Sequence, residues 1–143
     1  MDIRRINDQV SVSPQIDPAD VTELARLGFK AIINNRPDGE EAGQPDGDTI
    51  CTVAETLGLT YTAIPVTQAG FSHPQIDAMT AAIEGAGGPV LAYCRSGTRS
   101  CNLWALTEAK GGGAPGEIVD AGAGAGYDLN GLKPMLDALS GKP

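Results

Sequence analysis

The sequence predicts an α/β fold in three layers, with a mostly parallel central sheet of about four to five strands and helices on both faces. Short apolar segments alternate along the chain with segments whose apolar residues have helical spacing, and this alternation is typical of parallel sheets. The chain has 143 residues, of which 41% are hydrophobic, which is enough to form one core of ordinary size. We therefore expect residues 1–143 to form a single domain.

Four apolar segments are predicted as strands, and they cover residues 8–13, 29–33, 59–66 and 89–93. In the first segment, Val10 and Val12 alternate with polar residues. The last segment, Pro-Val-Leu-Ala-Tyr, has no charged residue to face solvent, which is typical of a strand buried on both faces. Because a helical segment lies between successive strands, parallel pairing is favoured.

Helix start and stop signals separate these strands. Asp17 supplies a side-chain acceptor, Pro18 fits the first helical turn, and Gly28 is a typical C-terminal stop. Further helices are predicted over residues 46–57, 74–83, 99–110 and 129–139, and another begins at Pro115. The glycine-rich stretch 111–126 is interpreted as close helix packing with a turn, and residues 140–143 as a frayed end.

Charge and composition exclude several classes of partner. The formal net charge is −8, from 18 acidic and 10 basic residues, so nucleic-acid phosphates would be repelled. No apolar stretch approaches the roughly 20 residues that span a membrane, and the polar start has no leader-like segment, so a cytoplasmic location is expected. Three cysteines and one histidine without ligand spacing predict neither a disulfide framework nor a bound metal or cofactor.

The segment after the last predicted strand has the composition of an anion-binding loop around a reactive cysteine. Cys94 lies between a strand and a helix, where inward N–H groups and the helix dipole favour the thiolate over the thiol. Arg99 can turn back over a bound anion and donate two hydrogen bonds to it. The rest of the loop supplies N–H groups, hydroxyls and a second cation, from Arg95, Ser96, Gly97, Thr98 and Ser100. We predict that Cys94 and Arg99 are catalytic; the alternative is a buried structural thiol beside surface arginines.

The loop Tyr93-Cys94-Arg95-Ser96-Gly97-Thr98-Arg99-Ser100 resembles the active-site loop of rhodaneses, which are sulfurtransferases with a Cys-Arg-x-Gly-x-Arg pattern. It is less similar to the Cys-x5-Arg loop of cysteine-dependent phosphatases. Those enzymes would have the arginine at position 100 and usually a histidine before the cysteine, where this chain has Ser100 and Tyr93. The shorter loop favours a persulfide sulfur over a tetrahedral phosphate.

A wider set of segments resembles one family more narrowly. In chain order they are NNRPDGEE at residues 34–41, GQP at 43–45, IPV at 64–66, the Cys94 loop, LWAL at 103–106 and AGYDL at 125–129. Together they resemble the phosphatase-like domain of bacterial beta-lactamase-hydrolase-like proteins, over nearly the whole chain. The resemblance implies a cysteine-phosphatase-like fold with a loop of rhodanese length. In that family the domain can be fused to a metal-dependent persulfide-oxidising domain, so a functional link to such an enzyme is implied.

Two further segments bear on the reaction. Arg36 and Asp38 follow the second predicted strand and would share a sheet edge with Cys94, so they are expected either to assist at the anion site or to form an ordinary charged turn. The loop at residues 67–72 contains no Asp or Glu, although phosphatases of this kind usually place an acid there. Phosphate-ester hydrolysis would then lack a proton donor worth about 10²–10⁴-fold in rate, whereas sulfur transfer needs none.

The single histidine and the other two cysteines are interpreted as structural. His73 precedes a proline and is expected in a turn or at a helix N-cap rather than as a general base. Cys51 lies in a predicted helix and is expected in the core. Cys101 is also expected to pack in the core, with resolution of a persulfide on Cys94 as the alternative.

These observations predict an enzyme, a rhodanese-like sulfurtransferase in which Cys94 carries a persulfide and passes its sulfur to a small nucleophile. Its substrate would be a small anionic or sulfane-sulfur compound. Two alternatives remain open. One is a cysteine-dependent phosphatase that forms a phosphocysteine at Cys94, and the other is a non-catalytic anion-binding or sensor module.

Overall fold

The computed structural model describes residues 1–141 and has the predicted α/β architecture. The strands are β1 (Arg4–Arg5), β2 (Val10–Ser13), β3 (Ala31–Asn34), β4 (Thr60–Ala63) and β5 (Val90–Tyr93). The helices are α1 (Pro18–Arg26), α2 (Gly47–Thr56), α3 (His73–Glu84), α4 (Thr98–Lys110), α5 (Pro115–Gly124) and α6 (Lys133–Ser140), and a 3₁₀ turn spans Asn130–Leu132.

The sheet has five strands in the order β1-β2-β5-β3-β4. The four longer strands are parallel, and β5 lies between β2 and β3. The edge strand β1 pairs antiparallel with β2 and was not predicted, because two arginines carry no apolar alternation. The parallel order brings the carboxyl ends of β2, β3 and β5 together at one sheet edge, with Ser13 and Asn34 on either side of Tyr93.

Helices cover both faces of this sheet, which confirms the predicted three-layer fold. Helices α1 and α2 pack over Ile32, Leu91 and Tyr93 on one face. Helices α3 to α6 pack over the other face, where Val12, Ile33 and Ala92 point. Successive residues of β3 and β5 therefore enter different cores, and this explains why residues 31–33 and 90–93 are apolar without interruption.

Most predicted helix boundaries lie within a few residues of the observed ones. Asp17 caps α1 as expected, because its carboxylate accepts the Asp20 N–H while the Asp20 carboxylate accepts the Asp17 N–H. The last predicted helix begins instead with the 3₁₀ turn, so α6 starts only at Lys133. The frayed end predicted for residues 140–143 falls partly outside the described residues; residue 140 still belongs to α6.

Candidate active site

Cys94 follows directly on β5, at the carboxyl edge of the sheet, and the loop it begins leads into α4. The Gly97 N–H donates a hydrogen bond to the Cys94 sulfur, with the nitrogen 3.1 Å from Sγ. Gly97 is the N-cap of α4 and has a φ of 92°, a conformation that favours glycine. The loop therefore folds back so that a backbone donor at a helix N-terminus faces the sulfur, as the sequence predicted.

The Cys94 residue is fully buried, with 0% of its surface exposed. Its sulfur nevertheless contacts a polar donor rather than hydrocarbon alone, which is unusual for a structural thiol. The residue therefore lies beneath the surface, at the start of the loop that leads into α4.

Arg99, in the first turn of α4, has its guanidinium fixed by two other loops. Nη1 donates to Glu40 Oε2 and to the Val66 carbonyl, both at 2.8 Å, and Nη2 donates to Glu40 Oε1 at 2.8 Å. A guanidinium has five N–H groups, and these bonds occupy three of them. The Nε–H and one Nη2–H, which point in the same direction from one side of the guanidinium, are engaged by neither Glu40 nor Val66. This is the pair that can bind two oxygens of one oxyanion.

The electrostatic environment of Arg99 keeps it charged. Hydrogen bonding to Glu40 raises the pKa of Arg99, partial burial works against this increase, and the nearby Cys94 sulfur adds to it. The same pairing lowers the pKa of Glu40 to about 2, with a further contribution from Arg36. Glu40 is therefore a carboxylate at neutral pH and cannot serve there as a proton donor.

Arg36, on the loop after β3, forms an ion pair with Glu40. Its side chain is 1% exposed, and its Nε donates to Glu40 Oε1 at 2.8 Å. Further bonds run from Nη1 to Gln15 and from Nη2 to Glu41. A buried arginine thus holds a carboxylate that in turn orients Arg99. Arg36 and Arg99 thus share one hydrogen-bond partner, Glu40.

The other loop residues differ in their exposure. Arg95 is 66% exposed and lies 3.6 Å from a Glu41 oxygen. The hydroxyls of Ser96 and Thr98 are exposed and bond to each other at 3.0 Å. The Ser100 hydroxyl is fully buried and has no hydrogen-bond partner within residues 1–141. Of the three hydroxyls, Ser100 is therefore the one held in the protein interior.

Asp38 and His73 bond to groups other than Arg99. Asp38 accepts the Gly47 N–H at 2.8 Å at the start of α2. His73 is the first residue of α3 rather than its N-cap, which is Ser72, and its Nδ1 lies 2.9 Å from Lys110 Nζ.

The other two cysteines differ in their burial. Cys101 is fully buried, as predicted, and burial raises its pKa to about 12. The prediction that Cys51 lies in the core is wrong. Cys51 is only partly buried, although the preceding residue of α2, Ile50, is buried. Its thiol donates a hydrogen bond to Glu55 at 2.8 Å.

A cavity of about 560 Å³ opens above the loop and is lined by Glu40, Thr67, Gln68, Arg95 and Arg99. Of the lining residues, Glu40 is the one that carries a carboxyl group. Within residues 1–141 no group of three or more His, Cys, Asp or Glu side chains is arranged to hold a metal ion. No helix in the same range is both long and apolar enough to cross a bilayer. The arrangement can bind a small oxyanion next to a cysteine sulfur.

Comparison with known proteins identifies the family. The profile described as "Beta-lactamase hydrolase-like protein, phosphatase-like domain" matches residues 2–111. A beta-lactamase hydrolase-like protein of Agrobacterium fabrum is 40% identical over 137 residues, which are 95% of this chain and 32% of that protein. The chain thus spans about a third of the length of the curated relatives that it matches.

Solved structures of other proteins have a similar fold. A candidate phosphatase from Neisseria meningitidis is 37% identical, with a TM-score of 0.84 over 97% of this chain and 99% of that one. Tk-PTP in its active form is 18% identical, with a TM-score of 0.75 over 99% of this chain and 98% of that one, and supports the fold alone. From the match over residues 2–111, the chain belongs to the family of beta-lactamase hydrolase-like protein, phosphatase-like domains.

Proposed function

We propose that the chain is a cysteine-dependent phosphatase, with Cys94 as its nucleophile and Arg99 as its phosphoryl clamp. The observation that carries this proposal is the pair of Arg99 N–H groups left over by Glu40 and Val66. Two parallel donors match two oxygens of a tetrahedral phosphoryl group, and the Gly97 N–H stabilises the sulfur anion. Support also comes from the Neisseria meningitidis candidate phosphatase, which covers nearly the whole chain.

The proposed reaction proceeds in two displacements. The Cys94 thiolate attacks phosphorus, a P–S bond forms, and the P–O bond to the leaving group breaks, so the leaving group departs with the electron pair of that bond. Water then attacks the phosphocysteine, the P–S bond breaks, and inorganic phosphate is released with the regenerated thiolate. The proton lost by the attacking water passes to solvent. Arg99 holds two phosphoryl oxygens in both steps.

The residues around the cavity limit the class of substrate. Residues 67–72 contain no acid, and Glu40 is held as a carboxylate because Arg99 and Arg36 lower its pKa to about 2. A leaving oxygen therefore departs without a proton from either segment, which costs about 10²–10⁴-fold for alkyl esters. We propose that the substrates are aryl phosphates or phosphoanhydrides, whose leaving groups are stable as anions.

The test is a series of aryl phosphates with leaving groups of decreasing acidity. Expected results are turnover of 4-nitrophenyl phosphate, a steep fall in rate along the series, and no detectable turnover of an alkyl phosphate. Cys94→Ser should abolish turnover, and Arg99→Lys should lower kcat/KM by about 10²-fold because the paired donors are lost. Arg26→Lys, on the exposed face of α1, is the matched control. A flat dependence on the leaving group would contradict the proposed substrate class.

A sulfurtransferase is the second candidate, and a specific observation favours it. Arg99 stands five residues after Cys94, the rhodanese spacing, and the resulting loop is one residue shorter than that of cysteine phosphatases. In this reaction the thiolate attacks the outer sulfur of thiosulfate, an S–S bond forms on Cys94, and sulfite leaves. Cyanide then takes the terminal sulfur as thiocyanate and restores the thiolate. The sulfonate oxygens of thiosulfate could use the same Arg99 donors.

Parallel assays separate the candidates. Thiocyanate production from thiosulfate and cyanide, with one added sulfur atom on Cys94 by mass spectrometry and no aryl phosphate turnover, would favour the sulfurtransferase. That outcome would also support a functional link to a persulfide-oxidising enzyme. Neither activity, with tight sulfate binding, would favour a non-catalytic anion-binding module.

A further inference from the structure

Tyr127 reaches the Cys94 loop from the segment between α5 and the 3₁₀ turn. Its hydroxyl donates a hydrogen bond to the Ser96 carbonyl, with the oxygens 3.0 Å apart. The residue is 8% exposed and lies 31 positions beyond Ser96 in the chain.

The bonded carbonyl belongs to the same peptide group as the N–H that contacts the sulfur. A trans peptide is planar, so its C=O and N–H point in opposite directions. Tyr127 binds the Ser96 oxygen on one side of this peptide, and the Gly97 nitrogen lies 3.1 Å from Cys94 Sγ on the other side. Fixing the carbonyl therefore fixes the direction of the donor that faces the sulfur.

The Tyr127 ring is itself held in place. The Arg4 guanidinium lies over it, 5.2 Å from the ring centroid, within the range of a cation–π contact. A Cβ atom at residue 97 would collide with the Tyr127 hydroxyl, so the close approach requires glycine there as well as the φ of 92°. The peptide, the ring and the glycine thus fit together as one packed unit.

We propose that Tyr127 is a positioning residue for Cys94, one that holds the Ser96–Gly97 peptide so that its N–H stabilises the sulfur anion. This inference depends on the proposed role of Cys94 as a nucleophile, although not on which substrate it attacks. Removing the Tyr127 hydroxyl frees the peptide to rotate, and the N–H then spends part of its time away from the sulfur. The thiolate loses a charge-assisted hydrogen bond.

The ionisation of Cys94 can be measured separately from that of the groups around its sulfur. Those that interact electrostatically with Cys94 include Arg99, Cys101 and Tyr127. Hydrogen bonds to Glu40 raise the pKa of Arg99, so it stays cationic. Burial raises the pKa of Cys101 to about 12 and also raises that of Tyr127, so both stay neutral between pH 5 and 9.

The test is the pH dependence of Cys94 alkylation by iodoacetamide, followed on the Cys94 peptide by mass spectrometry. Tyr127→Phe removes only the hydroxyl, and Tyr61→Phe, whose hydroxyl bonds to Asn34 on the α2 side, is the matched control. We expect the alkylation midpoint of Tyr127→Phe to rise by about one pH unit and its rate below the midpoint to fall about tenfold. The control should match the parent protein. An unchanged midpoint in a folded Tyr127→Phe protein would overturn the proposal.

A second measurement needs no variant. In ¹⁵N-labelled protein, the Gly97 amide resonance should shift with pH at the alkylation midpoint, because its N–H bonds to the ionising sulfur. A Gly97 resonance that does not follow this midpoint would overturn the proposal even if Tyr127→Phe failed to fold.

These readouts also separate this inference from the proposed function. A shifted midpoint without turnover of any phosphate or sulfane substrate would refute the function and leave the role of Tyr127 intact. Normal turnover with unchanged midpoints would refute the role of Tyr127 and leave the proposed function intact.

Discussion

Glu40→Gln tests the idea that a carboxylate on the β3–α2 loop orients the arginine of the anion site. The substitution keeps the size of the side chain and removes its charge. In the parent protein, Glu40 accepts two bonds from Arg99 and one from Arg36, all at 2.8 Å. We expect both the stability and the activity of the protein to fall, because two arginines lose their shared counter-ion.

The magnitude follows from the pKa of Glu40, which falls from 4.5 to about 2 in the folded protein. At about 1.4 kcal/mol per pKa unit this is an upper limit of about 3.5 kcal/mol. The side chain is 28% exposed, so solvent screening reduces the expected loss to about 1–2 kcal/mol. Since the folded pKa is lowered, this stability is present above pH 4.5 and is lost as the pH falls toward 2.

Urea unfolding at pH 7, 5.5 and 3 measures the effect. The free energy of unfolding of Glu40→Gln should lie about 1–2 kcal/mol below that of the parent at pH 7, and this difference should shrink by more than half at pH 3. Glu23→Gln removes an exposed carboxylate paired with Arg26 on α1 and should give no measurable change. Equal stabilities at pH 7, or a difference that persists at pH 3, would refute the electrostatic explanation.

Three further substitutions test individual contacts in the fold, each by urea unfolding at pH 7. Gly97→Ala should cost more than about 2 kcal/mol and abolish turnover, because the left-handed φ and the Tyr127 hydroxyl both oppose a Cβ atom; parent-like stability would contradict this. Tyr93→Phe should change stability by less than about 0.5 kcal/mol, since the buried hydroxyl has no partner of acceptable geometry within residues 1–141. A large loss would indicate an unseen bond. Asp17→Ala should cost about 1 kcal/mol through the lost cap of α1, and no change would show that the cap is dispensable.

Local sequence patterns determined the order of the elements and the place of the candidate nucleophile. The Asp17–Pro18 start, the glycine stops and the apolar runs depend on interactions within a few residues, and such signals survive without tertiary contacts. The same holds for the spacing between Cys94 and Arg99, because a strand followed by a short loop and a helix places both at one end of the sheet.

Tertiary structure alone decided how the site is arranged. Glu40 and Arg99 are 59 positions apart, and nothing in either segment indicates that the two oxygens of one carboxylate bind the two terminal nitrogens of the guanidinium. Tyr127 contacts Ser96 across 31 positions of the chain. Cys51 is only partly buried, although its neighbour Ile50 on α2 is fully buried. Such contacts depend on how the layers pack, and a residue's neighbours in the chain do not carry that information. The chemical groups could therefore be found from the sequence, whereas the directions of their hydrogen bonds required the fold.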